Sequence, residues 1–356
     1  MRSKELVKLL VPPVLIPLLK KTRIAFAPLS VQHLERNAKI TDRPCHYYEL
    51  FVCHNGDVYP CCLTWGREKM KIGHLDDLDL SNKIRAFSSS CECGEYRLRR
   101  ANSEDSMNYQ WLNIELSLAC QGKCVMCCVK APDWKGSYNY YDSLTHLLEY
   151  CRPKGLLLQG GEVLIQKRSL DWVLSVRQRF GDDIHIALVS NGNVDVDMVD
   201  VVAQLFNRVT LSFVGFQTET YNTIMGMDVK RVKAFAEMLS KRRNVALYLK
   251  YLVTPINIHE AHVFFDWAVS LKPQQIQFAQ ASMASYIKKD TEDKYWDKIC
   301  GRASEKLKAA WVRNKHILQS ANTHVVFFED TLKLYAIDDD FITRNGLEET
   351  YHLNLR

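Results

Sequence analysis

The chain has no long hydrophobic run. Its most apolar stretch, VKLLVPPVLIPLLKK near the N-terminus, is broken by Pro12, Pro13 and Pro17. It falls far short of the ~20 residues that a membrane span needs. No small-residue cleavage site follows it, so a secretory signal is not expected. Internal repeats and low-complexity tracts are missing as well. So is a strong charge of either sign: 47 basic against 41 acidic residues leave +6 at pH 7. That balance permits a mildly anionic partner without arguing for nucleic acid. Hydrophobic residues make up 47% and charged residues 25% of the 356, the composition of a soluble globular protein with room for more than one domain.

What the chain has in excess is cysteine, with twelve. Without a secretory signal the expected compartment is the reducing cytoplasm, where clustered cysteines more often hold metal than form disulfides. The N-terminal stretch carries Lys4, Lys8, Lys20, Lys21 and Arg23 around its leucines and valines. It suits either a helix docked on its own domain or a peripheral contact with the inner face of a membrane.

From about residue 113 onward, short apolar runs alternate with amphipathic stretches. The strand-like runs are NIELSLA (113–119), GLLLQGG (155–161), IHIALVSNG (184–192), RVTLSFVG (208–215), VALYLKYLV (245–253) and QIQFAQAS (275–282). Helical patterns fall at 139–151, 167–180, 195–206, 217–242 and 257–270. Six strands with five helical connections predict an α/β fold with a parallel sheet, open or curled into a partial barrel. Chemistry in such sheets collects at the C-terminal ends of the strands. Residues 41–107 read differently, with ELFVC and DVYPC joined by an Asn55-Gly56 turn into a hairpin. The expected division is an amphipathic segment at 1–40, a cysteine-rich hairpin module at 41–107, an α/β core at 108–284 and an extension at 285–356. In that extension a helix (291–320) and the strand HVVFF precede an acidic, loop-like tail.

Four cysteines crowd into LSLACQGKCVMCCVK, residues 116–130. Cys120, Cys124 and Cys127 have the spacing C-x3-C-x2-C, while neighbouring Cys128 points elsewhere if the segment is extended. Structural zinc wants four ligands, often as two C-x2-C pairs. Three thiolates on one loop suit an iron–sulfur cubane that keeps one iron open to a cofactor or substrate. Zinc and buried thiols are the rival readings.

CQGKCVMC, placed after a first strand and followed by a second strand ending in Gly-Gly-Glu, resembles the signature of the radical S-adenosylmethionine (radical SAM) enzymes. The resemblance covers roughly 110–284. It implies a partial (β/α)6 TIM-like barrel and a 4Fe-4S cluster on Cys120, Cys124 and Cys127, with S-adenosylmethionine chelated to the fourth iron. By motif, Met126 stands near the adenine, and Gly160, Gly161 and Glu162 hold the methionine ammonium. Glycines let backbone approach a ligand where a Cβ would collide. Ser190 and Asn191, ending the third strand, are candidates for the ribose hydroxyls. Ser212, Lys250 and Gln277 are candidates for the ribose, the carboxylate and the adenine edge respectively. The resemblance also implies a one-electron donor such as flavodoxin or ferredoxin.

Cys45, Gly56 and Cys61 give C-x10-G-x4-C, with Cys91 and Cys93 further on. This is similar to the SPASM or twitch modules that accompany many radical SAM enzymes, although here it precedes the barrel. It implies one auxiliary 4Fe-4S cluster on Cys45, Cys61, Cys91 and Cys93; zinc on the same residues is the alternative. Cys53 and Cys62 are expected to pack in the hairpin. Cys128, Cys151 and Cys300 are candidate hydrogen donors to a substrate radical, against a default of inert buried thiols.

The expected function is reductive cleavage of S-adenosylmethionine and hydrogen abstraction from a small molecule, sugar, peptide or protein side chain. One alternative is a nucleic-acid-modifying enzyme on the same scaffold, with RLRR (97–100) and KRR (241–243) as its basic runs; these are short and separated, so nucleic acid is not the expected partner. The other is a non-catalytic zinc module on a degenerate barrel.

Overall fold

A computed structural model describes residues 49–87, 111–127, 129, 131, 134–136, 138–281, 293–328, 331 and 334–354. The N-terminal segment, Cys45, Cys91, Cys93, Cys128 and the RLRR run lie outside the described residues.

The fold is α/β, built on one sheet. Six parallel strands form its middle: β4 (Trp111–Ser117), β5 (Gly155–Gly160), β6 (His185–Ser190), β7 (Arg208–Phe213), β8 (Ala246–Val253) and β9 (Gln275–Gln280). The helices between them are α2 (Tyr141–Cys151), α3 (Lys167–Phe180), α4 (Met198–Leu205), α5 (Thr218–Met225), α6 (Val229–Leu239) and α7 (Ala261–Ser270). These are the expected alternation and parallel sheet, consistent with a partial TIM-like barrel.

Strand alternation decides what lies on each side. Leu112, Ile114 and Leu116 of β4 join Leu144, Val173, Val202, Phe235 and Phe264 of the helices in one hydrophobic core. Asn113, Glu115 and Ser117 point to the opposite, inner face. In register across the sheet, that face carries Gln159 beside Glu115, Tyr248 beside Thr210, and Ser212, Lys250 and Gln277 on successive strands. The outer face is a packed apolar layer; the inner face is mixed, with Leu157, Val189 and Leu252 set among its polar residues.

The sheet continues past both ends of the six. Strand β1 (Glu49–Val52) forms a hairpin with β2 (Asp57–Tyr59), and β3 (Gly73–His74) follows, ahead of α1 (Leu80–Phe87). Gly56 turns the hairpin at φ +87°, with its N–H donated to the Cys53 carbonyl at 2.9 Å. Strand β1 pairs in parallel with β4, Phe51 opposite Asn113. The hairpin is therefore a lateral continuation of the sheet. At the other edge, β10 (His324–Phe328) pairs with β9 after the long helix α8 (Asp293–Ala321).

Two sequence expectations are corrected here. The helix expected over 217–242 is two helices. Gly226, at φ +67°, ends α5, and the Asp228 carboxylate accepts the Lys230 N–H at 2.9 Å to start α6. The tail is not loop-like. Asp338 caps α9 (Asp339–Asn345) through the Phe341 N–H at 2.7 Å, and β11 (Tyr351–Asn354) pairs in parallel with β10.

Buried Asn257 ties the C-terminal ends of β7 and β8 together. Its Nδ2 donates to the carbonyls of Val214 (2.6 Å) and Leu252 (2.8 Å), and its Oδ1 accepts the Thr254 N–H (2.7 Å). Asn257→Ala strands three buried polar groups. It is expected to lower stability by about 3 kcal/mol, read as a lower urea midpoint with an unchanged slope.

Candidate functional site

The triad loop leaves the C-terminal end of β4 and is held by backbone, not by its sulfurs. Lys123 N–H donates to Met225 O at 2.7 Å, and Val125 N–H to Ile224 O at 2.9 Å. Both acceptors end α5, so the loop is seated on the α5–α6 junction. A Cβ on Gly122 would meet the terminal methyl of Met227 at 2.9 Å, a contact that this flexible side chain can relieve by a small shift.

Cys120, Cys124 and Cys127 are all partly exposed. Their sulfurs are close enough that charge on Cys120 and Cys127 opposes ionisation of Cys124. Burial is the larger effect, and together they push the Cys124 thiol up to about 12. Burial also raises Cys120, against hydrogen bonds from Gly122 and Asn191. N–H groups are aimed at the sulfurs: Gly122 N–H at 3.3 Å and Asn191 Nδ2 at 3.8 Å on Cys120, Ala131 N–H at 3.3 Å on Cys127. Donors directed at sulfur favour thiolate. Among the described residues no three His, Cys, Asp or Glu side chains converge as they would on one metal ion. The donor set nevertheless fits a thiolate-bound cluster: three soft ligands on one loop, with N–H groups already directed at two of them.

Gly160, Gly161 and Glu162 stand beside this loop. Gly161 N–H donates to Ser117 O at 2.6 Å, and Glu162 N–H to Ala119 O at 2.8 Å. Gly160 lies at φ +123°, and a Cβ on Gly161 would collide with the Ala119 carbonyl. The glycines thus let β5 close on the root of the triad loop. The Glu162 side chain turns inward and is fully buried. It accepts Ser190 Oγ at 2.9 and 3.0 Å, Asn191 N–H at 2.8 Å and Leu164 N–H at 3.1 Å. Both oxygens are occupied by protein donors, so Glu162 braces the ends of β5 and β6. Ser190 Oγ also accepts the Gly192 N–H at 2.9 Å, which leaves its hydroxyl committed inside the protein.

The remaining expected residues fall as follows. Met126 is half-buried against the core beside the triad. Ser212, Lys250 and Gln277 are brought into one row, with Lys250 Nζ 5.2 Å from the centre of the Phe328 ring and the Gln277 amide donated to Gln275 at 2.5 Å. Cys61 is the one expected auxiliary ligand among the described residues. It precedes a 3-10 turn (Cys62–Thr64), with its sulfur 3.9 Å from Thr64 Oγ1. Cys53 is buried in the hairpin and Cys62 is half-buried. Cys151 and Cys300, the other candidate hydrogen donors, are both buried. Cys151 ends α2 on the helical side of the sheet, where burial pushes its thiol up to about 12, and Cys300 is buried among the helices. Neither stands on the inner face.

Two groups on that face escaped the sequence reading. The buried Glu115 carboxylate takes His54 Nδ1 at 3.2 Å, and the His54 ring meets Trp134 edge-on at 6.4 Å. Gln159 donates to Asn113 at 2.8 Å, and Asn113 to Glu49 at 3.4 Å. The signal was the alternation in NIELS, where Asn113, Glu115 and Ser117 interrupt an otherwise apolar parallel strand.

Residues 114–268 match the family model described as the Radical SAM superfamily. This part of the chain is a radical SAM domain. Among solved structures, the chain is similar to SuiB of Streptococcus suis bound to precursor peptide SuiA. The TM-score is 0.49 at 14% identity, covering 70% of this chain and 53% of SuiB. It is similar to anSMEcpe with bound AdoMet, at TM-score 0.46 and 18% identity over 60% of this chain and 61% of that one. The [FeFe]-hydrogenase maturase HydG from Carboxydothermus hydrogenoformans gives TM-score 0.43 at 11% identity over 78% and 64%. The chain therefore spans about half the length of SuiB. Curated proteins give no match. Among the described residues no helix is long and apolar enough to cross a membrane.

Proposed function

We propose that the chain is a radical SAM enzyme that abstracts hydrogen from a polar substrate. The observation that carries this reading is the Cys120–Cys124–Cys127 loop at the end of the first barrel strand, with N–H groups directed at Cys120 and Cys127. When bound, a 4Fe-4S cluster and S-adenosylmethionine supply the one-electron cleavage that releases methionine and a 5′-deoxyadenosyl radical. Cys120, Cys124 and Cys127 hold the cluster and, being three, leave one iron for the cofactor. Gly160 and Gly161 bring backbone up to the same edge. Asn113, Glu115, Gln159 and Thr210 line the inner face and orient a hydrophilic substrate, a sugar or a peptide side chain, by hydrogen bonds and charge, while Ser212 and Lys250 serve the ribose and the carboxylate of S-adenosylmethionine. An auxiliary 4Fe-4S cluster on Cys45, Cys61, Cys91 and Cys93 accepts an electron or positions substrate. The electron donor is a flavodoxin or ferredoxin, and the setting is the cytoplasm, with peripheral membrane contact through the N-terminal segment.

A nucleic-acid substrate is less well supported. In the KRR run, Arg242 is tied to Asp200 at 2.5 Å, and the run joins the end of α6 to the N-terminal edge of β8, opposite the edge that bears the triad.

The test is anaerobic reconstitution with iron and sulfide, followed by S-adenosylmethionine and dithionite. The expected product is 5′-deoxyadenosine, from brown protein holding about eight irons per chain if both cubanes form and about four if one does. A fully loaded protein that yields no 5′-deoxyadenosine sinks the proposal. Zinc in place of iron supports the non-catalytic module.

A further inference from the structure

We propose that Asn191 is a positioning residue for the triad: its side-chain amide donates to the Cys120 sulfur and raises the reduction potential of the group bound there. The inference rests on the cluster reading above and goes beyond it by assigning a potential-setting role to a residue outside the cysteine loop.

Asn191 is the first residue after β6 and is buried. Its backbone N–H is fixed by Glu162 Oε2 at 2.8 Å. Its Oδ1 accepts the Asn193 backbone N–H at 2.8 Å. A backbone N–H only donates, so the atom facing it must be the oxygen, and the amide orientation is settled by chemistry. Nδ2 is thereby turned to Cys120 Sγ, at 3.8 Å, and to Gln121 Oε1, at 3.5 Å. Gln121 holds the amide from the other side: its Nε2 donates to Asn191 Oδ1 at 3.3 Å and to Asn193 O at 3.2 Å. Asn193 is in turn anchored to Asp228 O at 2.7 Å. Among the described residues, Cys120 is the triad sulfur that receives a side-chain donor as well as a backbone one.

This geometry also separates Asn191 from the ribose contact expected of it. Its oxygen is consumed by two donors, and its nitrogen by a sulfur and a glutamine. What remains is an electrostatic effect on Cys120. Reduction adds negative charge that is shared by the thiolate sulfurs, and an N–H dipole pointing at one of them stabilises that charge. The amide therefore makes reduction easier. Because it is locked from three directions, it does so without reorganising.

The test is an EPR-monitored redox titration of anaerobically reconstituted full-length protein without S-adenosylmethionine. N191A removes the donor, and N191D keeps the shape while replacing the N–H group by a carboxylate oxygen. Both are expected to move the midpoint potential to more negative values, N191D further than N191A. Midpoints equal to the parent at equal iron content overturn the inference. A role confined to packing would change iron retention and leave the potential of the loaded fraction unmoved. Should both variants fail to hold iron, the parent protein decides. With ¹⁵N-labelled asparagine, pulsed EPR of the reduced state should detect one coupled side-chain nitrogen, and its absence overturns the inference. A parent that assembles no iron–sulfur group overturns the functional proposal instead, so the two failures are distinguishable.

Discussion

Cys124→Ser is expected to give a folded, colourless protein that makes no 5′-deoxyadenosine. The loop around it is held by Lys123 N–H on Met225 O and Val125 N–H on Ile224 O, so the sulfur is not what keeps the loop in place. Stability should therefore change little. Ligation is another matter. In the free protein, burial and neighbouring cysteines keep the Cys124 thiol protonated at neutral pH, its value pushed up to about 12. A thiol in that state binds only by losing its proton to an incoming metal, which a thiol can do and a serine hydroxyl in the same surroundings cannot. Two thiolates remain, too few to hold a group designed for three. Iron per chain, visible absorption and chromatographic assay for 5′-deoxyadenosine should all fall to background while the melting temperature stays near the parent's. Cys151→Ser is the comparison, because that thiol sits among α2 and core residues on the far side of the sheet. It should retain both iron and product. Parental 5′-deoxyadenosine output from Cys124→Ser would remove the triad from the chemistry altogether.

The parts of the fold that were legible are those written in local periodicity. The runs at 155–161, 184–192, 208–215, 245–253 and 275–282 became β5 to β9 with no boundary shifted by more than two residues. Each carries its own signal of β-branched and leucine residues between turn residues. The Asn55-Gly56 hairpin was legible for the same reason. The pairing of β1 with β4 was not. It joins Phe51 to Asn113 across about sixty residues, and nothing in either segment specifies a partner so distant. The tail misled for a different reason. Its acidic residues suggested solvent, whereas Asp338 is a helix cap and Tyr351–Asn354 an edge strand on β10. Charge there marks a helix start, which composition alone does not distinguish from a loop.

At the site, the motif located the residues but not their hydrogen bonds. Gly160 and Gly161 read as glycines that let backbone approach a ligand; the close approach the structure shows is to the carbonyls of Ser117 and Ala119. The motif puts Glu162 at the methionine ammonium, and its place at the end of the third strand makes Asn191 a candidate for the ribose hydroxyls. The structure turns the first inward to Ser190 and the second toward Cys120. Those orientations depend on a register between β5 and β6 that juxtaposes positions 28 and 29 residues apart, information that spacing within a motif does not contain.

Glu162→Ala is expected to lower stability by at least about 3 kcal/mol, because it strands the Ser190 hydroxyl and the N–H groups of Asn191 and Leu164 at about 1 kcal/mol or more apiece. A drop of that size consumes much of what holds a domain folded. Urea unfolding monitored by tryptophan fluorescence should show it as a lower midpoint. Glu162→Gln keeps the volume and loses less, since one carboxamide oxygen still accepts while its NH2 faces a donor. The pH dependence carries a definite sign. Burial raises the Glu162 carboxyl above its ordinary value, against the three hydrogen bonds that lower it. The folded state therefore holds its proton to higher pH than the unfolded chain does. The contribution of this group is full below the unfolded value of about 4.3 and declines as pH rises through the raised folded one. Glu162→Gln should lack that decline, so the gap between variant and parent narrows as pH rises through the window. A gap that widens instead would mean that the three donors outweigh burial. Either variant also loosens Asn191, whose backbone N–H is held by Glu162 Oε2, and with it the amide at Cys120. Glu162→Ala should therefore retain less iron than the parent even at temperatures where it remains folded, whereas the Asn257→Ala change, on the ends of β7 and β8, should cost stability without that loss.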